Sequence, residues 1–490
     1  MNRIAALVAG GVLFALLATA NAAGYRYGVS DQAFYIPVIT HALEPAAFPR
    51  DGTLIDAQGR LMILDEILAG AVRSTGVSLE TLFLGGYLVS IALIWAGLML
   101  IGSQVYRNSW ATAALAAAFT MRHRIPQTSA NSFEPYFHPR MLAFGLGTLA
   151  VAAVLRQRSW LAVALVAACG LIHITTGLWF GVLIGVALAV LDPRFRKLAA
   201  AGAAAALAVL AWAAAAGPLQ AAAVPMDDTW LQAVASKDSL FATGWPPWAW
   251  LANFGFLALL WWAHRWRIRR GVARPEDRAL AWGATALALL FVATLPAIAA
   301  GWSLAVQFQI SRIFWLIDFI ATVYVIAVVA DARATLTRAR VLAVILLAAS
   351  TARGTYVILV EHPERALFET RLPESPWEDA MGWIRATPLD AHVLADPGHA
   401  WKYGTSVRVS GGRDVMLEEV KDSALAIYSR DVAVRVVERT SAIGDFGAMT
   451  AEQAQELARR YDLDYLVTEA PLPLPEVHRN AQFRIYALTP

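Results

Sequence analysis

Charge is what this 490-residue chain has least of. Asp, Glu, Lys and Arg together supply 16% of it, against 58% hydrophobic residues, and the mean hydropathy is +0.51. That balance excludes a single soluble domain of ordinary surface chemistry and points to a chain that crosses a membrane repeatedly. Cysteine is nearly absent too: Cys169 stands alone inside an apolar run, which excludes an intramolecular disulfide. Residues 361–490 hold no G-x-G-x-x-G, no P-loop and no Cys/His set at metal-ligand spacing, so no cofactor is expected there. No internal repeat of fixed period is visible. The net charge of +3 comes from 40 basic against 37 acidic side chains, too even for a nucleic-acid surface; no nucleic-acid partner is expected.

What the chain has is apolar length. A run over 4–23 matches the roughly 20 residues that a helix needs to span about 30 Å of hydrocarbon. Ala20-Asn21-Ala22-Ala23 has the small-x-small look of a signal-peptidase site, but an uncleaved first helix is the favoured reading. Further apolar segments fall at 79–101, 109–121, 141–155, 160–172, 176–191, 198–216, 248–263, 280–300, 313–330 and 341–360. The expected fold is a polytopic α-helical membrane protein of about 11 transmembrane helices, with several short segments tilted or broken. The break at His173-Ile-Thr-Thr-Gly177 also fits one long tilted helix.

Residues 24–78 read as a polar loop with one amphipathic piece at 61–72, suited to lying on the membrane surface. Residues 361–490 differ from everything before them. Strands are expected at 392–395, 406–409, 464–468 and 482–488, and Thr450-Ala-Glu-Gln453 reads as a capping box opening a helix to Tyr461. The division is therefore a transmembrane domain over 1–360, with its large outer loop, and a small α/β domain over 361–490.

Basic residues orient this arrangement. The sharpest clusters, Arg194 to Lys197 and Arg265 to Arg270, fall in predicted inner loops, as the positive-inside rule requires. The N-terminus is then cytoplasmic, and an odd number of spans leaves the C-terminal domain outside.

Two acids share that outer side. Asp31 follows the first helix among Tyr25, Tyr27, Phe34 and Tyr35, where partial desolvation favours general-base work; as a bland alternative it caps a helix. Glu134 stands in the second outer loop among Phe133, Tyr136 and Phe137, as a second acid or as an ordinary partner of Arg140. His138 and Arg140 offer an imidazole and a guanidinium fork matched to phosphate, though Arg140 equally suits headgroup anchoring. His173, near a predicted outer end, and Arg312, in the last outer loop, are further candidates for substrate contact. Asp51, Asp56, Asp65 and Glu66 read as solvated loop charges. Asp227-Asp228 ranks lower because adjacent side chains diverge.

The pattern of Ser30-Asp31-Gln32 directly after a first helix, Phe133-Glu134-Pro135-Tyr136 in a second outer loop, many spans and an outer α/β domain resembles the GT-C superfamily of membrane glycosyltransferases. Trp383-Ile384-Arg385 with Thr387-Pro388, Gly411-Gly412-Arg413 and Tyr461-Asp-Leu-Asp-Tyr465-Leu-Val look like bacterial members of it. The acidic pair common in the first loop is here Asp31-Gln32, and no WWD-like motif is visible. The resemblance implies transfer of a hexosyl or pentosyl group from a polyprenyl-phosphate-linked sugar, at the periplasmic face of a bacterial inner membrane. Asp31 and Glu134 would then be the catalytic acids, and His138, Arg140, His173 and Arg312 would bind substrate. A divalent metal is possible and its ligands are not specified. Two other classes stay open: a transporter or flippase of lipid-linked or small solutes, and a non-catalytic membrane scaffold with an outer binding domain.

Overall fold

The computed structural model describes residues 3–59, 63–217, 219–331 and 336–488. The chain divides into two units, each built from three stretches. The first is Met1–Tyr25, Gly85–Pro225 and Asp238–Phe368; the second is Arg26–Leu84, Met226–Lys237 and Glu369–Pro490.

Helices make up the first unit because its apolar residues face both neighbours and lipid, which leaves the backbone to satisfy its own polar groups. Among the described residues seven helices are long and apolar enough to cross a membrane, which makes this a multi-pass membrane protein. They begin with Ile4–Asn21 and Leu79–Val105 and end with Thr337–Glu361. The eleven expected spans are not matched one for one. Ser109–Thr120 has only 12 residues, Pro139–Leu155 and Ser159–Ile172 are short, and Pro247–Arg269 ends in a charged turn with Arg267 and Arg269. The break at His173 is real: one helix ends at Ile172 and another starts at Ile174.

The span Ser303–Ala330 is 83% buried and Pro193–Ala216 only 6%, so the former runs through the centre of the helices and the latter along their edge. Small residues permit close approach. A Cβ on Gly283 would stand 2.3 Å from the Leu183 carbonyl oxygen, and one on Gly147 would stand 2.1 Å from the Phe180 ring. One buried polar group is paired twice: Arg267 Nε donates to Asp277 Oδ2 at 3.0 Å, and Tyr324 Oη donates to Asp277 Oδ1 at 2.9 Å.

The second unit holds a five-stranded mixed sheet in the order Asp414–Val415, His392–Leu394, Tyr465–Thr468, Arg484–Ala487, Glu476–Arg479. The first three strands are parallel and the last two antiparallel to their neighbours. Trp377, Met381, Ile384, Val393, Phe483 and Ile485 form its core. The capping box is present: Gln453 N donates to Thr450 Oγ1, Thr450 N donates to Gln453 Oε1, and Ala451–Tyr461 follows.

Two expectations fail here. The strand expected at 406–409 is a helical turn, Val407–Ser410, because Ser406 Oγ accepts from Val409 N and caps it. The supposed loop 24–78 contains three helices, Gln32–Leu43, Gly52–Gly59 and Leu64–Thr75. Pro37 inside the first argued against helix in the sequence. Residues 61 and 62 of the expected amphipathic piece lie outside the described residues; the rest is the helix that closes at Gly76, whose φ is +69°.

Candidate functional site

Five of the six expected site residues, Glu134, His138, Arg140, His173 and Arg312, belong to the first unit, and they gather where three helices begin. Pro139–Leu155 starts with proline at its first position and His138 as its cap, whose Nδ1 accepts from Arg140 N at 3.0 Å. The chain before it folds back as a short hairpin, Arg124–Ile125 against Ala130–Asn131. This return brings Glu134 to Arg140: Nη2 donates to Oε1 at 3.0 Å. Asn131 Nδ2 lies 3.3 and 3.2 Å from the two carboxylate oxygens, and Arg122 Nη2 lies 3.8 Å from Oε2. Glu134, His138 and Arg140 are each only 3% exposed.

His173 closes one helix and caps the next. Its Nδ1 accepts from Thr176 Oγ1 at 2.9 Å and Thr176 N at 3.3 Å. With Nδ1 an acceptor in both histidines, the neutral rings carry their proton on Nε2. The two rings stand 6.2 Å apart, with Tyr136 stacked 6.0 Å from His138. The third helix, Ile313–Asp331, is entered through the turn Ile310–Arg312. Trp315 lies under the Arg140 guanidinium, 5.8 Å from its ring centre. Arg140 and Arg312 lie close enough for their charges to act on His173.

Arg122, Arg140 and Arg312 stand near Glu134, beside two Nε2–H donors and three helix N-termini. Such a set favours an anion. Both oxygens of Glu134 are engaged by Asn131 and arginine, which fixes the Arg140 fork in place.

Sequence reasoning missed a neighbour of this cluster. His123 Nε2 pairs with Asp318 at 3.1 Å, and that bond raises the imidazole pKa against the opposing effect of burial. An acid inside a span was the only available signal.

Asp31 belongs to the second unit. It precedes Gln32–Leu43 at the N-cap position, but its φ of −70° and ψ of −8° are helical and its side chain makes no capping bond. Lys421 Nζ donates to Asp31 Oδ1 at 3.1 Å and lies 5.0 Å from the Phe34 ring centre. Gln32, its neighbour, is fully buried and accepts from Gly28 N at 2.7 Å, closing a turn in which Gly28 has φ +82°.

The loop charges also differ from expectation. Asp51 is fully buried. Arg408 Nε donates to it at 2.7 Å, and Arg435 also bonds to it. Burial alone would raise its pKa, yet the two guanidiniums hold it well below the usual carboxylate range. Arg408 further binds Asp422 at 2.7 Å and Glu418 at 3.5 Å. Burial pushes Glu418 up to about 7. Asp65 is buried as well, at about 7, through desolvation and its neighbour Glu66. Glu66 is exposed, as expected, and the Asp56 side chain lies outside the described residues. Asp227 caps a helix through Trp230 N and pairs with Arg430 at 2.6 Å.

Among the described residues, no three of His, Cys, Asp and Glu group so as to hold a metal ion. Glu134 and Asp31 each face a cationic side chain.

No protein-family model and no curated protein matches the chain. Solved structures of the oligosaccharyltransferase of Archaeoglobus fulgidus are similar to it. The apo form is 13% identical, with 94% of this chain and 69% of that chain covered and a TM-score of 0.45. The form in complex with an inhibitory peptide and a dolichol-phosphate is 12% identical, with 94% and 69% covered and a TM-score of 0.47. The complex with Zn and sulfate is 14% identical, with 94% and 67% covered and a TM-score of 0.43.

Proposed function

We propose that this protein is a membrane glycosyltransferase that moves a sugar from a polyprenyl-phosphate donor to an acceptor at the periplasmic face of a bacterial inner membrane. The observation that carries the reading is the gathering of Arg122, Arg140, Arg312, His138 and His173 around one carboxylate, at the starts of apolar helices. A lipid-linked donor presents its phosphate where hydrocarbon meets water, the place where such a cluster is useful.

In the transfer, the bond between the anomeric carbon and the phosphate oxygen breaks and a bond from an acceptor oxygen forms. The electron pair of the broken bond stays on the phosphate. Fixed cations around that oxygen stabilise the developing charge without reorganising. Glu134 orients Arg140 for that task, and the two Nε2–H groups add neutral donors. Asp31, held by Lys421 within the second unit, is proposed as a general base for an acceptor hydroxyl on its chemistry alone.

The test is sugar transfer or hydrolysis by the purified full chain, given a labelled polyprenyl-phosphate sugar. Activity that falls in Asp31→Asn and in Arg140→Gln supports the reading. Absence of transfer and hydrolysis, with surface glycans unchanged in an Asp31→Asn strain, sinks it.

A further inference from the structure

Well apart in sequence from the residues used above, a cavity of about 770 Å³ opens between the helices Ile174–Leu191, Pro193–Ala216 and Pro275–Ala299. Its apolar wall includes Val186, Ala189 and Val190, and its charged residues are Arg196 and Arg278. Trp282 completes the lining. It is 42% exposed and lies one turn beyond Arg278, on the same face of its helix.

We infer that this cavity binds an anionic phospholipid, with the phosphate headgroup between Arg196 and Arg278 and an acyl chain along Val186, Ala189 and Trp282. Four observations converge on that occupant. Both arginines are exposed, so neither is consumed by a buried ion pair. Arg196 is already aimed, because its Nε donates to Ala189 O at 3.0 Å; this orients the guanidinium and leaves its Nη groups for an anion.

The nearby acids are occupied elsewhere. Asp192 pairs with Arg194 at 2.8 Å, Glu276 with Arg274 at 3.2 Å and Gln157 at 2.7 Å, and Asp277 with Arg267 at 3.0 Å. The cationic lining is therefore not cancelled from within. Lastly, the edge helix Pro193–Ala216 is hardly buried, so one side of the cavity faces the lipid phase, and a tryptophan stands where headgroup and chain meet. A cavity both apolar and doubly cationic, open to lipid, fits an amphiphile with an anionic head better than a soluble anion. This inference does not depend on the glycosyltransferase reading.

Lipids brominated in the acyl chain test it by quenching Trp282. The signal is the quenching of the full-length protein minus that of its Trp282→Phe variant. Titration with brominated phosphatidylglycerol and brominated phosphatidylcholine should give roughly a 30-fold preference for the former, from two arginines at about 1 kcal/mol each facing a net-anionic rather than a zwitterionic headgroup. The preference should vanish in Arg196→Ala/Arg278→Ala and persist in Arg196→Lys/Arg278→Lys. Inorganic phosphate should not displace the brominated lipid. Equal quenching by the two lipids overturns the assignment, as does quenching that is the same in the parent and in Trp282→Phe. Displacement by millimolar phosphate overturns it too, by making this a small-anion site.

Discussion

Arg140→Gln separates the structural from the chemical role of the buried Glu134–Arg140 pair. Removing one partner of a buried ion pair strands the other charge and typically costs about 3–5 kcal/mol. Here Arg122 at 3.8 Å and Asn131 at 3.2 Å stay beside Glu134, so the loss belongs at the lower end, roughly 3 kcal/mol. In thermal unfolding that is on the order of 5 °C for a large domain. The double variant Glu134→Gln/Arg140→Gln removes both charges and should return to within about 1 kcal/mol of the parent. The chain carries its own reporter: Cys169 is its single cysteine and is fully buried in Ser159–Ile172. A thiol-reactive dye in a thermal ramp therefore reads the opening of the helices around it. Donor binding should stay impaired in the double variant even as stability recovers. A double variant as unstable as Arg140→Gln, or one that recovers donor binding along with stability, refutes the reasoning.

Glu418 gives a pH test. Its folded pKa of about 7, raised by burial against the pull of Arg408, lies above the ordinary value. Its contribution is fully present below that ordinary value and is lost as pH rises through about 7. Glu418→Gln should therefore be more stable than the parent at pH 8 by roughly 3 kcal/mol and equal to it at pH 4; calorimetry of the full chain at both pH values reads the difference, and a gain that is the same at both contradicts it. Gly283→Ala should lower the melting point by the equivalent of roughly 3 kcal/mol, because the new methyl meets a backbone oxygen that cannot swing away; an unchanged thiol-dye melt contradicts the close packing. Asp31→Asn should abolish transfer yet leave the affinity for polyprenyl phosphate unchanged, measured by equilibrium binding. Loss of both would tie Asp31 to the donor instead.

Much of the helical part was legible because an apolar run must satisfy its own backbone, and run length sets span length. The break at His173 was visible as a polar interruption, and the capping box at Thr450 as a local pattern. What stayed hidden depends on distant partners. Asp51 looks like any loop acid, and nothing near it in sequence announces Arg408 and Arg435, more than 350 positions away. Lys421 beside Asp31 is equally remote. Arg140, Arg312 and the two histidines were candidates by residue type and position, and Arg122 was not among them. Their mutual arrangement was not legible, since it rests on the hairpin that turns Glu134 back onto Arg140. The helices in 24–78 were obscured by proline and glycine, which mark turns in most settings but here sit inside or at the ends of short helices.

The central claim is that the cluster around Arg140 receives the phosphate of a polyprenyl lipid. Equilibrium binding of a polyprenyl monophosphate and of the matching neutral polyprenol, to the parent chain and to Arg140→Gln and Arg312→Gln, tests it most directly. The monophosphate should bind far more tightly than the alcohol, and each substitution should weaken only the monophosphate, by about tenfold. Equal affinity for the two lipids, or monophosphate binding untouched by either substitution, would contradict it.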